Sequence, residues 1–260
     1  MAFNEKYREQ INALEFSDSF EAETVNLLSD IQQERKGKII NMKKTIKFIS
    51  IAATIVSLVA ISALAISVLL TPGQVAEHFG NNEVAQAFES GEAQIVNQTV
   101  ENSGYIFTLE GIATGKAIEY IDAAMVDANR TYVVVAMQKV DGGEITYDDS
   151  VTFIPFFEGY DPWQVNGLHL GGASAHKTIQ NNVLYYLWDF TDLEVFADRK
   201  IYLAGFGGIA PGPDKFVLNS DGSIGFADGY EGIKVMFEIQ LDAAKANPEK
   251  ASEMLGNMGR

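Results

Sequence analysis

The chain has 260 residues, no cysteine, and 35 Asp and Glu against 19 Lys and Arg, for a formal net charge of −16 at pH 7. Without cysteine there are no disulfide staples, no thiol nucleophile and no thiolate-bound zinc, and so acidic a chain does not hold nucleic acid through a general field. The charge is unevenly spread: residues 1–47 carry eight basic and eight acidic side chains, and the remainder carries 11 against 27.

The first 47 residues predict two short amphipathic helices. Tyr7, Ile11 and Leu14 fall at i, i+4, i+7, one helical stripe among polar neighbours. Asp18 and Glu21 have capping-box spacing, and Phe20, Leu27, Leu28 and Ile31 then recur on one face. So short a pair does not close a core by itself. Its apolar stripe lies on the membrane or on itself as an inert tail, or it docks into a groove on a cytoplasmic protein, with Tyr7, Ile11, Leu14, Phe20, Leu27, Leu28 and Ile31 as the contact residues. A basic collar follows: Arg35, Lys36, Lys38, Lys43, Lys44 and Lys47.

Residues 48–70, from Phe48 to Leu70, are 23 positions without a charge, Gly or Pro. At the rise of an α-helix they reach roughly 35 Å, enough for a hydrocarbon core of about 30 Å. A soluble helix is seldom apolar on every face for that length. With Lys43, Lys44 and Lys47 before the span and no Lys or Arg between Thr71 and Gly115, the N-terminal side is expected in the cytoplasm and the C-terminal side outside. Ala63-Leu64-Ala65 offers signal-peptidase spacing, but a 47-residue leading segment and a run that continues apolar past the site favour an uncleaved anchor.

Residues 71–92 predict a stalk or lid of two small helices. Val75 and Phe79, then Val84 and Phe88, sit at i, i+4, with a Gly80 stop and an Asn cap between the pairs. Strand signals dominate afterwards, over 93–100, 105–113, 131–140, 151–157, 183–190, 200–206 and 232–241, with turn sequences at 101–104, 127–130, 141–143 and 219–222. The expectation for residues 93–260 is an extracellular antiparallel β-sandwich, ending in a short helix with Pro248 in its first turn.

Catalytic and metal-binding patterns are thin, and the chain reads as a non-enzyme with no cofactor. Nothing predicts that His78, His169 and His176 converge; the last two fall in a loop-like stretch. Ser174 lacks the glycine two positions on that a nucleophile elbow needs. Asn219, Asp221 and Ser223 lack the sixth-position glycine and closing Glu of a calcium loop and read as a turn. Asp141, Glu144, Asp148 and Asp149 read as a solvated loop, where acidic crowding could hold calcium weakly. Trp163, near Tyr160 and Pro162, reads as a core or edge anchor rather than a ligand platform.

The inner stretches EKYREQINAL and DSFEAETVNLLSDIQQERK, the basic collar, the single span and an all-β outer part together resemble membrane-anchored anti-sigma-factor-like regulators of Gram-positive bacteria with an immunoglobulin-like outer domain. The outer stretches carrying the resemblance are AQAFESGEAQIVNQTVENSGYIFTLEGIATGK, NRTYVVVAMQK, VFADRKIYLAGF and YEGIKVMFEIQLDAAKANPEKASEML. It implies an Ig-like β-sandwich ectodomain, an inner segment that sequesters an extracytoplasmic-function sigma factor, and release by an envelope protease or a conformational change. The inner segment has neither His nor Cys, so the zinc-binding anti-sigma signature is not there. Asn247-Pro248 matches a bond cleaved in some related regulators, but its distance from the span makes it a helix-start proline. The alternative is a surface module that binds a cell-wall or host ligand, with the inner segment as anchor only.

Overall fold

The computed structural model describes residues 69–119, 127 and 129–258. The inner helices, with Tyr7, Ile11, Leu14, Phe20, Leu27, Leu28 and Ile31, and the anchor residues Lys43, Lys44, Lys47 and Phe48 lie outside these. So does the expected span apart from Leu69 and Leu70. Among the described residues no helix is long and apolar enough to cross a membrane.

Two helices come first, α1 (Pro72–His78) and α2 (Asn82–Glu89). Thr71 caps α1 in a reciprocal box with Gln74, and Pro72 takes the first turn, where its missing N–H costs nothing. Gly80, at φ 71°, ends the turn, and Asn81 Oδ1 accepts the Val84 N–H to start α2.

Ten strands follow. β1 (Gln94–Asn102), β2 (Tyr105–Thr114), β3 (Arg130–Lys139), β6 (Val183–Thr191) and β5 (Ala173–Gln180) form one antiparallel sheet in that spatial order. β10 (Lys234–Ile239), β7 (Ile201–Phe206) and β4 (Thr152–Phe157) form a second, and β8 (Phe216–Leu218) with β9 (Ile224–Phe226) makes a hairpin. A single helical turn, α3 (Lys116–Glu119), follows β2, and α4 (Pro248–Met258) closes the described chain with Pro248 at its start. Asn247 Oδ1 accepts the Lys250 N–H there, as an N-cap does.

Side-chain alternation sorts these elements into four layers. Phe107, Leu109, Val133, Val135, Leu184 and Tyr186 of the five-stranded sheet face Phe153, Phe157, Leu203, Val235 and Phe237 of the three-stranded one across a common core. The opposite face of the large sheet, with Val134, Ala136, Tyr185 and Leu187, is covered by Val75, Ala76, Val84, Ala85 and Phe88 of the two helices. The opposite face of the small sheet, with Ile154, Phe156, Ala204 and Phe206, is covered by Phe216 and Ile224 of the hairpin. The described part is thus mainly β, two antiparallel sheets packed face to face.

Strands occupy all seven stretches read as β, with ends shifted by a residue or two. β5, β8 and β9 were not among the expected strands. β5 is an exposed edge, with Ser174, His176 and Lys177 turned to solvent, so it lacks the apolar signal while its lysine protects the edge. This corrects the loop reading of His176. β8 and β9 are three residues each, joined by the turn read at 219–222, where Asp221 Oδ1 accepts the Ser223 N–H at 2.9 Å.

Gly205 of β7 pairs with Phe153, and a Cβ at Gly205 would stand 2.5 Å from the ring. Phe153→Ala is therefore expected to cost about 3–5 kcal/mol by opening a cavity between the sheets, and Gly205→Ala about 1–3 kcal/mol by overpacking. Chemical denaturation followed by tryptophan fluorescence measures both, and Val217→Ala on the exposed face of β8 should leave the midpoint unchanged.

Candidate functional site

The chain meets the sheet at the last two residues of the expected span. Leu69 and Leu70 are half-buried against the helix-covered face, and the Leu70 N–H donates to the Tyr185 hydroxyl at 2.9 Å. Pro72 lies over Gly111 so closely that a Cβ there would come 2.9 Å from its ring carbon. Gly73 and Pro72 are both buried. Leu70, the only expected anchor residue among those described, is thus held by protein through its backbone.

Under the same helices lies Glu110. Register shifts between Leu109 and Gly111, so two residues of β2 follow one another where β3 offers one step, and Glu110 has no partner across the strand. Leu109 and Ile112 stay on the inner core while Ala113 belongs to the other face and a Cβ at Gly111 would meet Pro72 of α1, so the bulge absorbs the extra residue and turns Glu110 toward the helix layer. Glu110 is 4 % exposed and its Oε1 has no hydrogen-bond partner among the described residues. Burial without a compensating charge pushes its carboxyl up to about 7. Tyr185 senses it: burial raises that phenol, the Leu70 N–H pulls it back, and the Glu110 charge adds to the rise.

The far end of α1 is latched to β5. His78 Nε2 stands 3.0 Å from Thr178 Oγ1 and 3.1 Å from Gln180 Nε2, while Phe79 packs on the His176 ring at 5.4 Å. Two of the three histidines therefore do come together, bridged by Phe79, which their sequence positions did not suggest. His169 is apart from them, its Nδ1 bonded to the Gln164 carbonyl at 2.9 Å.

The acidic 141–149 loop is not simply solvated. Asp149 accepts the Tyr105 hydroxyl at 2.6 Å and the Thr146 N–H at 2.8 Å and pairs with Lys139 at 3.1 Å. Burial pushes its carboxyl up, but these bonds outweigh burial and hold it well below the usual carboxylate range. Among the described residues no three His, Cys, Asp or Glu side chains come together as a metal site.

At the opposite layer a groove of about 540 Å³ runs between the 161–163 segment and the β8–β9 hairpin. Trp163, Asp161 and Asp228 line it, over the buried ring of Phe216. Trp163 packs against the hairpin core, as an anchor does, and also forms a wall of this groove.

Tyr185, Glu110 and His78 were not singled out as a site by the sequence. The one legible signal was a lone Glu followed by Gly inside the otherwise apolar β2, a pattern that marks a bulge.

Tyr185→Phe keeps the ring and removes the acceptor of the Leu70 N–H, an expected loss of about 1–2 kcal/mol. Amide exchange over α1 and α2 should accelerate while the strands keep their protection, and hydrogen-exchange mass spectrometry reads both. Asp149→Asn is expected to remove stability that the wild type has at neutral pH and loses as pH falls through the acid range, because its folded-state carboxyl is held below its unfolded value; thermal melts between pH 3 and pH 7 check the sign.

Compared with protein-family models, with curated proteins and with solved structures, the chain matches none.

Proposed function

We propose that the chain is a single-pass membrane regulator, with an outer β module that senses envelope conditions and an inner amphipathic segment that sequesters an extracytoplasmic-function sigma factor. One observation carries the outer half of this reading: the backbone entering the module is bonded into a sheet face at Leu70 and clamped at Pro72, leaving no free tether between the expected span and the sensor. A rearrangement of the helical pair therefore reaches the span directly. With Leu69 and Leu70 occupied by protein, residues 48–68 still reach about 31 Å as a helix, sufficient to cross. The lopsided charge supports the orientation, N-terminus in the cytoplasm and β module outside. The immunoglobulin-like character belongs to the same proposal and is supported by two antiparallel sheets about one core, here divided five and three. An envelope protease is the proposed route of release.

The groove favours a second reading, a surface module for a cell-wall or host ligand, because Trp163 offers a flat apolar face beside two carboxylates. The readings separate on the inner segment. In the regulator, deletion of residues 1–38 abolishes output; in the binding module, ligand affinity survives it.

Affinity capture of the intact protein from detergent extracts should bring down a sigma factor. Leu28→Asp, placing a charge in the proposed contact stripe, should lower that capture by tenfold or more, as loss of a central apolar anchor does. An intact wild type that captures no sigma factor, with transcripts unmoved by Leu28→Asp, removes the regulator reading.

A further inference from the structure

The unpaired carboxyl beneath the helices is placed to act on the junction. We propose that Glu110 is a proton-operated catch for the helical pair: neutral, it lies dry beneath α1 and α2 and leaves the Leu70 to Tyr185 bond closed, and ionised, it opens that layer to water. This names a proton as the input of the regulator and rests on that reading. A buried carboxylate needs a counter-charge or solvent. No Lys or Arg occurs between Thr71 and Gly115, so α1, α2, β1 and β2 supply no cation. The titratable groups of the surrounding elements are Glu77 and His78 on α1, Glu83 and Glu89 on α2, Glu92 just before β1 and Glu101 on it, Tyr105 on β2, Lys116 and Glu119 in α3, Arg130, Tyr132 and Lys139 on β3, and Tyr185, Tyr186 and Asp189 on β6. Arg130 of β3 is bonded to Asp189 at 2.7 Å. Lys139 is paired with Asp149 at 3.1 Å, and among the described side chains no cation is bonded to Glu110, so solvent is what relieves the charge. β2 stays paired to β1 and β3 on both sides of the bulge, whereas the helical pair is held by apolar packing of Val75, Ala76, Val84, Ala85 and Phe88, a few hydrogen bonds and the Pro72 contact, so the helices are the cheaper layer to lift.

The direction follows from linkage. A carboxyl that binds its proton more tightly in the closed form stabilises that form fully in acid, and the stabilisation disappears as pH rises through about 7. The opening constant of the helices should climb by up to about tenfold per pH unit below that point and level off above it.

The test is amide exchange over α1 and α2 in the full chain in lipid nanodiscs without any partner, comparing wild type with Glu110→Gln at matched pH from 4.5 to 8.5 so that intrinsic exchange cancels. The ratio of wild-type to E110Q opening is expected near unity at the acid end, rising through neutrality to a plateau. A ratio flat across the range, or a dependence that persists in E110Q and disappears in His78→Gln, overturns the proposal. If E110Q does not fold, isotope-edited infrared titration of the wild-type carboxyl decides: a midpoint near 7 that tracks the exchange supports the catch, and a midpoint in the ordinary carboxylate range overturns it. Because no sigma factor is present, failed capture would remove the regulator reading and leave this profile standing, while a flat profile with capture intact would remove only the catch.

Discussion

The large sheet is apolar on both faces, and the rest of the architecture answers that fact. β3 and β6 read RTYVVVAMQK and VLYYLWDFT, so successive side chains that point in opposite directions are both oily, and both are buried. An antiparallel sheet with one polar face can leave that face in water, but this one needs a cover on each side. The three-stranded sheet supplies one cover and the helical pair the other. Residues 72–89 are accordingly a structural layer of the module.

That role explains why the expected stalk was legible as helices and illegible as packing. Spacing of Val75, Phe79, Val84 and Phe88, with the Gly80 stop and the Asn81 cap, is local information, and each signal is written within one or two turns. What those apolar residues cover is settled by Val134, Ala136 and Leu187, dozens of residues away, and a local pattern has no means of naming them. The strands divide in the same way. The buried ones carry apolar runs and were readable, whereas β5 is polar on its exposed positions because it is an edge, and β8 and β9 are too short for a period to develop. Glu110 was not singled out by the sequence, since its burial depends on a bulge and a helix layer that arise from distant parts of the chain.

Acid acts on this module in two opposed ways. Asp149 ties Tyr105 to Lys139 and the Thr146 turn as a carboxylate, so its contribution is lost when it takes a proton. Glu110 is comfortable only with its proton on, so its site loosens when the proton leaves. The first group sits at the rim of the inner core and the second under the helices, which separates an acid-sensitive rim from a base-sensitive junction. Above neutral pH the rim is whole and the junction at its loosest, a distribution that confines any opening to the helical layer.

The groove and the junction lie on opposite outer layers, so a ligand at Trp163 is two sheets away from Leu70. A continuous route nevertheless runs through consecutive residues of β6. Tyr185 points to the helices and accepts the Leu70 N–H, while Tyr186 points inward, accepts the Val151 N–H at 3.0 Å and packs on Phe153 at 5.3 Å. β4 carries the route onward, since Phe153 faces the inner core and Phe156 faces outward onto Phe216 at 4.7 Å, beneath the groove. Adjacency of this kind is a path and not a coupling energy. Its mechanical content is that Tyr185 and Tyr186 share one peptide unit, so a shift of β6 moves both hydroxyl contacts at once. Glu110 acts on the outer of those contacts without crossing the core, so a proton reaches the junction in one step where a groove ligand must displace a strand.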